Sequence, residues 1–192
     1  MALSVDELRD RVLALREEGL NDQQIADEMS ISKSTITWLQ GSSAPEAKPD
    51  DVRIGWRSIG VRPQRIDAIG MIMADIIDEH HPEGIDTVVG ISLNGIFFSQ
   101  SVAEQIGAEV SIFRSAVGDK GGALSHKYAN VGGRKVVIVD DLFNSGETMR
   151  RAIEVLQNDG AEVVLCLVMV NKTEKNEIAG IPLRGLIRAV SV

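Results

Sequence analysis

Val136-Val-Ile-Val-Asp-Asp-Leu-Phe-Asn-Ser-Gly-Glu-Thr-Met149 is the stretch whose reading decides the fold. Four β-branched residues without alternation, 136–139, predict a strand buried on both faces, as in a parallel sheet. Asp140 and Asp141 then fall at the carboxyl end of that strand, where open α/β sheets bind ligands. Asn144, Ser145, Gly146, Glu147 and Thr148 follow as a small polar turn into a helix. Backbone N–H groups converging at such a turn suit a phosphate, because the helix dipole favours negative charge there. Adjacent carboxylates suit the vicinal hydroxyls of a ribose, so one short segment can hold a ribose 5-phosphate. The competing reading is an ordinary turn in which Asp140 or Asp141 caps a helix.

The chain has 192 residues, enough for one domain with a small appendage, and its 44% hydrophobic share suffices for a proper core. A net charge of −8 argues against a protein that coats nucleic acid or anionic membrane through bulk charge, although a local site stays open. The single cysteine, Cys166, lies in an apolar run, which points to an inert buried thiol and excludes a disulfide within the chain. No apolar run approaches the roughly 20 residues of a membrane span, so no membrane association is expected and the expected location is the cytoplasm.

Upstream, Ser4-Val-Asp-Glu7 is a capping box, and Leu8, Val12 and Leu15 follow at helical spacing up to Gly19. Asn21 is an N-cap for a second short helix, and Ser32 for a third over residues 33–40, closed by Gly41. Residues 24–39, Gln-Ile-Ala-Asp-Glu-Met-Ser-Ile-Ser-Lys-Ser-Thr-Ile-Thr-Trp-Leu, resemble bacterial and archaeal DNA-binding helix-turn-helix units. That resemblance leaves Ser32, Lys33, Ser34 and Thr37 near the exposed start of a recognition helix, where base edges and phosphates are contacted. The alternative is a three-helix docking module that binds no DNA. The charge balance keeps this alternative open: Asp6, Glu7, Asp10, Glu17, Glu18, Asp22, Asp27 and Glu28 against Arg9, Arg11, Arg16 and Lys33, a net of −4.

The segment 41–51 is small, polar and holds two prolines, which marks a domain boundary. The expected division is 1–42, a linker at 43–51, and 52–192. In the larger part, residues 52–59 read as a weak strand and 65–80 as an amphipathic helix closed by His80 and His81, placed for a dipole contact rather than a metal. A strand over 86–91, a glycine-flanked turn at Ser92, Leu93, Asn94 and Gly95, a helix over 96–106 and a strand over 109–113 follow. Residues 114–133 are polar and Gly-rich, long enough for a functional loop. A helix over 147–158 and strands over 162–170 and 181–190 complete an α/β alternation with a mostly parallel sheet.

The 136–149 stretch resembles the phosphoribosyl pyrophosphate (PRPP) signature of type I phosphoribosyltransferases. The resemblance implies that Asp140 and Asp141 meet the ribose hydroxyls, that Asn144 to Thr148 hold the 5-phosphate, and that Ser92, Leu93, Asn94 and Gly95 form a pyrophosphate loop, with Arg114 nearby. It implies Mg²⁺ as the ion accompanying PRPP and no tightly bound cofactor. Phe143 and Asn144 depart from the usual signature, which has an aliphatic and then Thr, Ser or Ala. Arg114 is followed by Ser115, where orotate enzymes carry an Arg-Lys pair, so orotate transfer is expected to be weak or absent. The whole chain is similar to archaeal orotate phosphoribosyltransferase-like transcription regulators of sugar-catabolism genes. That implies a type I phosphoribosyltransferase-like parallel sheet flanked by helices behind an all-α helix-turn-helix domain. It also implies double-stranded operator DNA, a small phosphorylated effector and a homodimer. A working phosphoribosyltransferase of orotate or purine type, using PRPP and Mg²⁺, is the competing expectation.

Overall fold

The computed structural model describes residues 4–41, 51–115 and 122–190. The chain divides into two compact units, one running to Gly55 and the other from Trp56 to Val190.

The first unit contains α1 (Val5–Glu17), α2 (Asp22–Met29) and α3 (Lys33–Gln40). Reciprocal capping boxes at Ser4/Glu7 and Asn21/Gln24 satisfy amides that the first turns of α1 and α2 leave without partners. Ser30, in the left-handed region at φ 54°, ends α2 and turns the chain so that Ser32 caps α3. Val12, Leu15, Ile25, Ala26, Met29, Ile31, Ile36 and Leu39 form one buried cluster. Spacings of three and four residues on each helix aim these side chains inward.

The second unit begins with α4 (Arg57–Gly60) and α5 (Pro63–His80). The expected strand at 52–59 is not formed. Arg53 and Ile54 hydrogen-bond to Met29 and Ser30 instead, and Trp56 starts a short helix. Next come β1 (Thr87–Ile91), α6 (Gly95–Ile106), β2 (Glu109–Arg114), β3 (Ala123–Leu124), β4 (Lys135–Phe143), α7 (Glu147–Asn158), β5 (Glu162–Asn171), β6 (Glu177–Ile178) and β7 (Ile181–Arg188). The strand order is β3-β2-β1-β4-β5-β7-β6.

Strands β2, β1, β4, β5 and β7 are parallel, whereas the short outer strands β3 and β6 run antiparallel to their neighbours, so the sheet is mixed rather than purely parallel. β6 returns on β7 through a short turn, pairing Ile178 with Ile181, and β3 pairs with the end of β2 at Phe113 and Arg114. β3 also corrects the reading of 114–133 as an uninterrupted loop. The backbone N–H groups of Ser125 and Ala129 donate to Ile112 and Val110, so this segment follows β2. Gly118, Lys120 and Gly121 of that loop, residue 42 and 43–50 of the expected linker lie outside the described residues.

The apolar runs of β4 and β5 are buried, as the lack of alternation at 136–139 predicted for β4, and β1 beside β4 is buried throughout. On one face α7 seals Val136, Ile138, Cys166 and Val168 with Met149, Ala152, Ile153 and Leu156. On the other, α6 covers β1 and β4, and α5 packs on α6. Burial pushes the Cys166 thiol up to about 12, so it stays protonated and inert. His80 donates from Nδ1 to the Ile76 carbonyl at 2.9 Å and accepts from Arg184 Nε at 3.2 Å. Among the described residues no group of three or more His, Cys, Asp or Glu is placed to hold a metal, and no helix is long and apolar enough to cross a membrane.

Candidate functional site

β1 and β4 are parallel neighbours whose last paired residues are Gly90 and Val139. Beyond that point β1 turns away through residues 92–94, but β4 continues beside β5, pairing Asp140 with Val168 and Phe143 with Asn171. The two carboxylates therefore lie inside the second half of a strand rather than after it. The strand extends this far because β5 still offers backbone partners. Asp140 and Asp141 emerge where the sheet is open on the β1 side, and the turn from β1 fills that opening.

Gly95 makes this possible. A Cβ there would lie 2.6 Å from the Val139 carbonyl oxygen and 3.1 Å from Asp140 Oδ1, so only a glycine lets the start of α6 approach the strand this closely. Asn94 consequently donates from Nδ2 to Asp141 Oδ2 at 3.1 Å. Trp56 donates from Nε1 to the same oxygen at 2.9 Å, and the Asp141 N–H donates to Asp140 Oδ1 at 2.9 Å. The Trp56 ring also packs against Phe98 of α6, with centroids 5.5 Å apart.

Ser92, Leu93, Asn94 and Gly95 are thus brought beside Asp140 and Asp141. Leu93 is among the most exposed apolar side chains, and the peptide linking it to Ser92 is cis. Arg114 ends β2, the next strand over, with an exposed side chain. Asn144 and Ser145 lead from β4 to Gly146, the N-cap of α7 at φ +80°, followed by Glu147 and Thr148 in the first turn. Phe143, the unusual residue of the motif, is buried against this turn: a Cβ on Gly146 would meet its ring at 2.7 Å. The Ser145 hydroxyl accepts from the Glu147 N–H at 3.3 Å, while Glu147 pairs with Arg151 on the exposed face of α7. Such an exposed pair contributes about 0.3–0.5 kcal/mol.

Trp56 is the residue that sequence reasoning missed. It stands 85 positions from Asp141, in a segment whose sequence reads as a weak strand. The available signal was a tryptophan beside a domain boundary, since a buried indole usually finds an acceptor for its N–H.

Burial drives the Asp141 carboxyl upward from its ordinary 3.8, against hydrogen bonding with Asp140 and the bonds donated by Trp56 and Asn94, which favour the ionised form. An acid raised in the folded state contributes stability that is complete below its unfolded value and is lost as pH rises through the folded value. Asp141→Asn keeps an acceptor for Trp56 and Asn94 without burying a charge. It is expected to melt above the parent at neutral pH, with the gain vanishing below about pH 4. Melting curves across that range check this, and a variant less stable than the parent at neutral pH contradicts it.

In the first unit, Lys33, Ser34 and Thr37 are exposed on α3. Thr37 Oγ1 donates to the Lys33 carbonyl at 3.1 Å. Ser32 is already committed to the cap: its hydroxyl accepts from the Thr35 N–H at 3.1 Å, and its own N–H donates to Asp51 at 2.6 Å.

The phosphoribosyl transferase domain family matches residues 55–180. The chain is 39% identical over 189 residues to the transcriptional regulator GfcR of Thermoplasma acidophilum, covering 96% of each. The GfcR of Picrophilus torridus is 37% identical, with 98% of this chain and 99% of the relative covered. Among solved structures, adenine phosphoribosyltransferase from Saccharomyces cerevisiae matches with a TM-score of 0.61 at 20% identity, over 71% of this chain and 86% of that one. Orotate phosphoribosyltransferase from Mycobacterium tuberculosis in complex with PRPP gives 0.58 at 18%, over 70% and 80%. At such identities the likeness speaks for the fold alone.

Proposed function

The chain belongs to the phosphoribosyl transferase domain family and, over nearly its whole length, to the GfcR transcriptional regulators, and from that premise we propose that it is a DNA-binding regulator of sugar-metabolism genes that senses PRPP or a related phosphorylated metabolite. The observation that carries the reading is the grouping of Asp140 and Asp141, Asn94 and the start of α7 at one end of the sheet. Acceptors for two ribose hydroxyls stand one turn away from backbone donors for a phosphate.

In this reading Asp140 and Asp141 orient the ribose, and the amides of residues 144–148 hold the 5-phosphate. The donor set fits Mg²⁺ only in company with ligand phosphates. Among the described residues the two carboxylates are joined by no third His, Cys, Asp or Glu placed to hold a metal, and Mg²⁺ ordinarily combines one or two carboxylates with phosphate oxygens. Bound that way, the ion neutralises phosphate charge. Calorimetry with PRPP, with and without Mg²⁺, is expected to give saturable heat. Asp141→Asn is expected to weaken binding by about 1.5–3 kcal/mol, the value of a hydrogen bond to a charged group. Equal affinity in the variant contradicts the assignment.

The fold favours one second reading, a working transferase. Against it stand Ser115 after Arg114, where positive charge would stabilise departing pyrophosphate, and the occupation of Asp141 by Trp56. A steady-state assay with PRPP, Mg²⁺ and orotate is expected to show weak turnover or none. A rate of roughly 1–1000 per second would make the protein an enzyme.

The relatives are named transcriptional regulators, which supports DNA binding, and the exposure of Lys33, Ser34 and Thr37 on α3 makes that helix the proposed recognition helix. One short helix carrying a single cation binds poorly, so a homodimer reading an inverted repeat with half-sites about one helical turn apart is the proposed form. Lys33→Ala is expected to weaken operator binding and to lower the salt slope by about one. A gel-shift series in salt measures both, and an unchanged slope removes Lys33 from the interface.

A further inference from the structure

Asp141 Oδ2 already accepts two hydrogen bonds, from Asn94 and Trp56, and a carboxylate oxygen has two lone pairs. A ligand hydroxyl that uses this oxygen has to replace one donor. Asn94 sits at the fixed start of α6, against the backbone of β4. Trp56 is different: it is half-buried, touches Phe98 at a tilt of 56°, and begins its unit directly after the segment leading from the helices.

That segment is itself tied down within the helical unit. Asp51 Oδ2 accepts from the Ser32 N–H at 2.6 Å and from Thr35 Oγ1 at 2.8 Å. Arg53 Nε donates to the Met29 carbonyl at 3.2 Å, and the Ile54 N–H to the Ser30 carbonyl at 3.4 Å. These contacts hold the turn into α3, and the Asp51 carboxylate lies at the helix N-terminus, where the dipole favours it. Only Gly55 separates Ile54 from Trp56. Consecutive Cα atoms stay about 3.8 Å apart, so one residue takes up little displacement and a larger one reaches Ile54.

Resting on the ligand site proposed above, we infer that Trp56 competes with the ligand for Asp141, and that a vicinal-diol sugar phosphate, by displacing the indole, loosens the Asp51 and Ile54 contacts that brace α3. Coupling of this kind is reciprocal: a bound operator that needs the brace in place weakens the ligand by the same factor. It also gives the ligand a differential interaction with two states, without which no response in α3 would follow.

The test uses the full chain with PRPP and with ribose 5-phosphate. Trp56→Phe keeps an aromatic ring and removes the N–H, and is expected to bind PRPP about tenfold more tightly than the parent. In a Trp38→Phe background Trp56 is the sole tryptophan, and PRPP is expected to increase its quenching by acrylamide. Amide exchange at Ile54 and Ser32 is expected to speed up with PRPP in the parent and to be indifferent to it in Trp56→Phe. PRPP binding by the parent with unchanged quenching, unchanged exchange and equal affinity in Trp56→Phe overturns the competition while leaving the ligand site standing. Binding by neither protein overturns both. Binding by Trp56→Phe alone supports the competition in its strongest form, the indole holding the site shut.

Discussion

Ile36→Ala is expected to unfold the three-helix unit while the sheet unit stays folded. Ile36 is fully buried in a cluster of eight apolar residues drawn from all three helices and the turn. Truncating such a side chain costs about 2–5 kcal/mol, the transfer of the lost methyl groups plus the cavity left behind. At about 0.05–0.15 kcal/mol per residue, a unit of this size has roughly 2–8 kcal/mol in total. The substitution therefore removes most or all of the margin. Hydrogen exchange is the direct readout: amides of α1, α2 and α3 should lose protection, those of β4 and β5 should keep it, and operator binding should disappear. Thr37→Ala, on the exposed side of the same helix, serves as the contrast, with stability within about 0.5 kcal/mol of the parent. Undiminished protection in α2 after Ile36→Ala would show that this cluster is not what holds the unit together.

Gly95→Ala is expected to have the second largest effect. Two terms oppose each other. Alanine near a helix start gains up to about 1 kcal/mol over glycine. The new Cβ, however, meets the Val139 carbonyl at 2.6 Å and the Asp140 Cα at 3.2 Å, both in the backbone of a central strand bonded on either side. Neither can yield as a flexible side chain would, and overpacking of this kind costs about 1–3 kcal/mol or more. The steric term wins, with a net loss of about 2 kcal/mol. α6 is also pushed away from Asp141, so Asn94 no longer reaches it. Urea unfolding should show a lower midpoint at an unchanged slope. A midpoint equal to or above that of the parent would mean that the strand accommodates the methyl group.

Much of this structure was legible because its signals are local. The caps at Ser4, Asn21 and Ser32 are satisfied within three residues, so the starts of α1, α2 and α3 follow from sequence alone. The apolar runs of β4 and β5 mark central strands, and α7 falls on the residues expected after the 136–149 motif, Glu147–Asn158. The acidic pair and the small-residue turn stand together in one 14-residue stretch, which is why a candidate site was visible at all.

What was not legible depends on partners far along the chain. Residues 52–59 have strand-like composition but no neighbouring strand to pair with, and they are used instead to bind the turn before α3 and to place Trp56. The outer strands β3 and β6 are two residues long, below the length at which periodicity means anything, and exist because β2 and β7 offer them an edge. The sequence by itself determined the three capped helices, the buried strands β4 and β5 and the chemistry gathered in 136–149, since spacing, capping and adjacency act over a few residues. Only the tertiary structure decided that β4 runs on through Phe143, that Gly95 admits α6 against it, and that Trp56 and Asn94 converge on Asp141. Each of these depends on backbones and side chains from distant parts of the chain meeting across the sheet, and no local pattern records that meeting.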